Sequence, residues 1–318
     1  MPGKKQKRKI KKVEKRCNMA LKKITLSLNG QAYTLEKNED TGKYEATITA
    51  PTKSSYNQTD HVYAMALKAE DQAGNITTID KNHATFGAKM KLDVNEKVSP
   101  VITPSKPGAG AYLTNQSVQF QFDVTDNDSG VNPNTISLQI DTNAAITSGI
   151  TKTKITNGYR CTYTANLKDG SHSIKINAKD YDNNAAVQKT VSFKVDTVPP
   201  SLNISTPAQG LITNKQSCTV AGTTNDITSS PVTIIVKLNN VDQGSVTIGG
   251  DGSFSKVVTL AKGANTIYVK ATDKAGKYSE VTRNLMHDPD APVVHTVEIT
   301  PNPVDAGKTF KITVDVTD

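Results

Sequence analysis

Leu67-Lys68-Ala69-Glu70-Asp71-Gln72-Ala73-Gly74-Asn75 recurs in pattern at Ile176-Asn177-Ala178-Lys179-Asp180-Tyr181-Asp182-Asn183-Asn184 and again at Val269-Lys270-Ala271-Thr272-Asp273-Lys274-Ala275-Gly276-Lys277. Each copy alternates apolar and polar residues, then runs into an aspartate and a turn. Alternation at period two sets one face of a strand against a core and leaves the other in water. The Ala-Gly or Asn-Asn steps supply residues that tolerate a positive φ, as a tight turn requires. The chain is therefore built from repeated units that each contain such a strand.

Working outward, the approach to the strand repeats in the last two copies, as Leu167-x-x-Gly170-x-x-x-Ile174 and Leu260-x-x-Gly263-x-x-x-Ile267. Each unit also has a recognisable beginning. Gly110-Ala111-Tyr112-Leu113-Thr114-Asn115-Gln116-Ser117 resembles Gly210-Leu211-Ile212-Thr213-Asn214-Lys215-Gln216-Ser217. Proline-bearing junctions precede these at Val98–Pro104 and Val195–Pro200, and a third spans Asp288–Val294; proline stiffens such linkers. The repeated strands lie 109 and 93 residues apart, and a seven-stranded immunoglobulin-type sandwich takes about 100 residues. The expected map is a basic tail over 1–23, modules over 24–96, 97–198 and 199–291, and a partial fourth module over 292–318 comprising its first two strands. The last of these follows from Phe310-Lys311-Ile312-Thr313-Val314-Asp315-Val316-Thr317-Asp318, which matches Val118–Asp126.

Composition agrees with several small cores rather than one large one. Of 318 residues, 36% are hydrophobic and 5% aromatic, and tryptophan is absent. The net charge of +8 is located entirely in Met1–Asn18, where nine Lys or Arg stand against Glu14 alone, so the remainder is neutral. Nucleic-acid binding could rest only on that tail. Three readings of the tail stay open: an anion-binding arm, a charged arm without a partner, or a segment preceding a true start at Met19. Cys17, Cys161 and Cys218 are scattered without CxxC spacing, which predicts solitary thiols packed as small apolar side chains. No apolar run approaches the roughly 18 residues of a membrane span, and no secretory signal is expected from the basic start.

With the repeat in hand, Val195-Asp196-Thr197-Val198-Pro199-Pro200 and Lys68–Asn75 resemble bacterial immunoglobulin-like modules of the group 3 type, with VDTTPP and AxDxAGN signatures. The resemblance implies an all-β fold: tandem immunoglobulin-like β-sandwich modules in an elongated array, with a disordered or helical basic N-terminal tail. Such modules occur in Gram-positive surface proteins and in phage tail proteins. Met19–Tyr33 is similar to the start of small immunoglobulin-like proteins of phage tail gene clusters. The implied function is a non-enzymatic structural or adhesive repeat protein, a phage tail or virion component assembled in the host cytoplasm. The alternatives are part of a Gram-positive cell-surface adhesin or stalk, or an accessory, carbohydrate-binding module of a secreted enzyme. Expected partners are other structural proteins, a second copy through the C-terminal strands, and the host cell envelope.

Chemistry is sparse. His61, His83, His172, His287 and His295 are expected in loops or near junctions, without companions at ligand spacing, and no GxSxG, HExxH or phosphate loop occurs. The candidate site is in the second module. Asp126 and Asp128 follow its second strand, and Asp180 and Asp182 follow its sixth. The loops after those strands meet at one end of such a sandwich. Four converging carboxylates would suit Ca²⁺, an oxygen-seeking cation; the competing reading is that they cap turns. Because Ala73 and Ala275 stand where Asp182 does, any site is expected in this module alone.

Overall fold

The computed structural model describes residues 21–318. Met1–Ala20 of the expected tail, Cys17 included, lie outside the described residues. The first module holds β1 (Leu21–Leu28), β2 (Gln31–Thr34), β3 (Glu36–Lys37), β4 (Tyr44–Glu45), β5 (Tyr63–Asp71), β6 (Ile76–Ile79) and β7 (Lys91–Leu92). One sheet runs β2–β1–β5–β6 with β7 also on β5, and β3–β4 make a separate short hairpin. This is thinner than the two-layer sandwich expected over 24–96. Its inward stripe, Tyr63, Met65, Leu67 and Ala69, meets no large opposing sheet, and Leu28 and Tyr63 are its only fully buried apolar side chains among the described residues.

The second module is a full sandwich, comprising β8 (Val101–Lys106), β9 (Tyr112–Leu113), β10 (Ser117–Thr125), β11 (Val131–Ile140), β12 (Thr151–Ile155), β13 (Gly158–Asn166), β14 (Gly170–Asp180) and β15 (Lys189–Val195). One sheet runs β12–β13–β10–β8 and the other β11–β14–β15–β9, with β9 parallel to β15. Labelled by chain order, these are the D-E-B-A and C-F-G-A′ sheets of an immunoglobulin sandwich. Val118, Phe120, Phe122 and Val124 of β10 face Ile174, Ile176 and Ala178 of β14 across one dry core. Cys161, opposite Phe122 in the register, is fully buried, and burial pushes its thiol pKa up to about 11. It behaves as the small apolar side chain its isolation in sequence predicts, as does the buried Cys218.

The third module repeats the plan with β16 (Ser201–Thr206), β17 (Ile212–Thr213), β18 (Ser217–Asn225), β19 (Thr233–Leu238), β20 (Val241–Asp242), β21 (Ser253–Thr259), β22 (Gly263–Thr272) and β23 (Tyr278–His287). Its sheets are β16–β18–β21 and β17–β23–β22–β19–β20. β18 must pass close under β16, because a Cβ on Gly222 would stand 2.1 Å from the Asn203 carbonyl oxygen. Beyond it, β24 (Val293–Thr300) and β25 (Lys311–Thr317) pair with each other, Ile299 opposite Ile312, and every residue of both is exposed.

The contrast between core and hairpin gives a direct test. Phe120→Ala is expected to destabilise the second module by about 3–5 kcal/mol in chemical denaturation. Ile312→Ala, on the exposed hairpin, should change stability by no more than about 0.5 kcal/mol.

Candidate functional site: the carboxylate junctions

The inward stripe of each sandwich continues past its last apolar residue into an acid. On β10 the run Val118, Phe120, Phe122, Val124 leads to Asp126; on β14, Ile174, Ile176, Ala178 leads to Asp180. In the third module the same alternation delivers Asp226 and Asp273. These acids lie at the end of the sandwich where the preceding segment enters, and that segment contributes one more: Glu96 to the second module and Asp196 to the third. The result is two buried trios, Glu96–Asp126–Asp180 and Asp196–Asp226–Asp273, each with carboxylate oxygens within 4.8 Å of one another.

The four carboxylates expected from sequence do not share one centre. Asp126 and Asp180 meet, with Glu96 as their third member. Asp128 instead turns toward the first module, where its Oδ1 accepts from the Ser54 amide at 3.0 Å. Asp182 Oδ2 accepts from the Glu96 amide at 2.8 Å. Both are joints between modules. Tyr181, between the paired acids, stacks on Tyr56 of the first module at 3.9 Å, and Asn57 donates to the Asp128 carbonyl. Nor is the trio confined to one module, as the Ala275 substitution implied; the outward-turned Asp182 position does not belong to it.

The Glu96 trio is closed from within. Asn184 Nδ2 donates to Asp180 Oδ2 at 2.8 Å and to Glu96 Oε1 at 3.0 Å, and the Ser129 hydroxyl donates to Glu96 Oε1 at 3.0 Å. The Asp126 Oδ1 takes the amides of Asp128 and Gly130. Burial raises the Glu96 pKa above the usual carboxylate range, and the neighbouring Asp180 carboxylate raises it further; the amide of Val98 and the Ser129 hydroxyl work the other way.

At the next junction, Lys194 Nζ of β15 donates to the Thr228 carbonyl at 2.7 Å, and Ser279 Oγ of β23 to the Pro200 carbonyl at 2.6 Å. The Thr197 amide and hydroxyl are both held by Asp169. The histidines differ from expectation in that three lie on strands, His295 exposed on β24 and two others withdrawn from water. His172 and His287 lie on strands and are largely buried, and His172 bridges Asp141 Oδ2 and the Lys168 carbonyl, both at 2.8 Å.

Comparison with known proteins agrees with the sheet order. Residues 100–176 match the family model of a bacterial Ig domain, and residues 200–288 that of domain B of glucodextranase. The chain carries bacterial immunoglobulin-like modules. Bacillopeptidase F of Bacillus subtilis (strain 168) is 28% identical over 130 residues, covering 40% of this chain. The chain spans 8% of that peptidase's own length. Among solved structures, the fibronectin(III)-like modules of Clostridium thermocellum CbhA align over 59% of this chain and 94% of theirs, at 13% identity and a TM-score of 0.35. Immunoglobulin domains 1–5 of Sidekick-1 align over 92% of this chain and 60% of theirs, at 14% and 0.38. The assignment rests on the family models and the strand order.

The raised Glu96 pKa has a definite sign for stability. An acid that binds its proton more tightly when folded stabilises the fold while protonated, and that contribution is lost as pH rises from the unfolded pKa through the folded one. Denaturation curves are therefore expected to show a Glu96-dependent fall in stability as pH climbs above the ordinary value of 4.5. Glu96→Gln should flatten that stretch of the profile, and an unchanged slope would refute the assignment.

Proposed function

We propose that this chain is a non-catalytic spacer and adhesive array of an extracellular bacterial protein. The observation that carries this reading is the way successive modules are bonded end to end. Ser54, Glu96, Asp128, Asp182 and the Tyr56–Tyr181 stack join the first to the second, and Lys194, donating to the Thr228 carbonyl, ties the second to the third. Polar and acidic side chains here hold one module to the next. Function follows from sites rather than fold, and here the best-built sites are joints. The bacterial Ig family model and the likeness to a peptidase support an extracellular or cell-surface setting, with the array positioning or extending another domain.

The virion setting rests on the likeness of Met19–Tyr33 to phage tail proteins, and the relatives named above give it no added support. Antibodies against the chain, applied to intact cells, to culture supernatant and to purified virions, separate the two. Surface or supernatant labelling is expected. Signal confined to the cytosol would contradict the proposal, and signal in virions would move the array to a phage particle.

A further inference from the structure

The two trios are built alike but closed differently. In all three copies of the repeated strand, the aspartate Oδ1 accepts the amide four residues on: Asn75 to Asp71, Asn184 to Asp180 and Lys277 to Asp273, at 2.8–2.9 Å. In the first two copies the same residue also donates its side-chain amide to Oδ2, at 2.8 Å in each. Lys277 stands in that place in the third copy, and no donor replaces the amide. Asp273 Oδ2 is left buried without a partner, and so is Asp196 Oδ2. The Ser229 hydroxyl is orphaned as well, although its counterpart Ser129 is bonded to Glu96.

These are three unpartnered oxygens on side chains that are 6%, 1% and 0% exposed. The opposite oxygen of each acid is tethered: Asp196 Oδ1 takes the Val198 amide, Asp226 Oδ1 the Thr228 amide and Asp273 Oδ1 that of Lys277. The backbone thus fixes each carboxylate by one oxygen and leaves the other free in Asp196 and Asp273. Desolvating several like charges together is unfavourable unless something positive joins them. Burial, with Asp196 and Asp226 as like-charged neighbours, holds the Asp273 pKa above the usual range.

We propose that Asp196, Asp226 and Asp273, with the Ser229 hydroxyl, form a binding site for a hard divalent cation of the Ca²⁺ class at the junction between the second and third modules. The donor set is oxygen only, which excludes the nitrogen and sulfur preferences of zinc. Three oxygens within 4.8 Å of one another lie no more than about 2.8 Å from a common centre, so small side-chain shifts bring them to the roughly 2.4 Å of a Ca²⁺–oxygen bond. Two of the acids belong to the third module and Asp196 to the segment leaving β15. A cation there would bind both and stiffen the joint. The second module needs none, since Asn184 already serves as donor to its trio.

The test is calorimetric titration of CaCl₂ into the full chain after stripping with EDTA, with melting curves in parallel. One Ca²⁺ per chain and a higher melting temperature at about 1 mM Ca²⁺ are expected, the range typical of extracellular sites. Ser229→Ala, which preserves the carboxylates and the fold, should weaken binding severalfold, and Asp273→Asn should abolish it. Lys277→Asn restores the amide found in the other copies; it should weaken Ca²⁺ binding by at least about tenfold while raising the melting temperature of the stripped protein. Asp180→Asn, in the closed trio, should leave the affinity unchanged. Absence of binding up to about 10 mM Ca²⁺ would overturn the proposal, the cluster then being neutralised by a proton on Asp273. Binding that survives Asp273→Asn and Lys277→Asn undiminished, or that disappears in Asp180→Asn, would overturn it too.

Discussion

A carboxylate withdrawn from water must be met by hydrogen-bond donors, a proton or a cation, and that constraint organises the ends of these modules. The inward stripe of a sandwich strand cannot simply stop. At Asp126 and Asp180, and again at Asp226 and Asp273, it ends in an acid that still points toward the core's edge. Such an end is unstable by itself. It becomes acceptable when the incoming segment supplies amides, hydroxyls and a matching side chain, so completing the module and attaching it to its predecessor are one event. Glu96 makes this plain: its side chain belongs to the second module's trio, while its backbone amide is held by Asp182.

The sandwich architecture was legible because period-two alternation is a property of the strand itself. Val118 to Val124 and Ile174 to Ala178 could face a core only as strands, and the spacing of copies left room for one sandwich each. The first module was harder to read. Its β5 carries the repeat motif as clearly as β14, but the motif reports one strand's local pattern and says nothing of whether a second sheet lies opposite. The missing partner for Tyr63 and Leu67 is a property of residues elsewhere in the segment.

Half of the candidate site was legible as well. Asp126 and Asp180 could be chosen because they follow the right strands. Asp128 and Asp182 share both composition and parity with them, but lie two residues further on, in the turns beyond β10 and β14, where the chain has left the pleat and the side chains turn to the segment from the first module. Continuing the alternation one step past the last inward apolar residue marks Asp126 and Asp180, and the same step marks Asp226 and Asp273, but only the fold shows that the stripe ends there and does not extend to Asp128 and Asp182. Glu96 and Asp196 carried no such mark, since their place depends on how the entering segment lies across the sandwich end. The Asn-to-Lys difference at position 277 is visible in the repeat, but its meaning depends on knowing that Asn184 Nδ2 donates to two acids at once.

The account's central claim is that the junctions, through their buried acids and the bonds around them, join successive modules into a mechanically continuous array. Backbone ¹⁵N relaxation on the full chain measures this directly, because it reports how each module tumbles. Amides of the second and third modules are expected to share one rotational correlation time. Two distinct, shorter correlation times, as for beads on a flexible string, would contradict the claim.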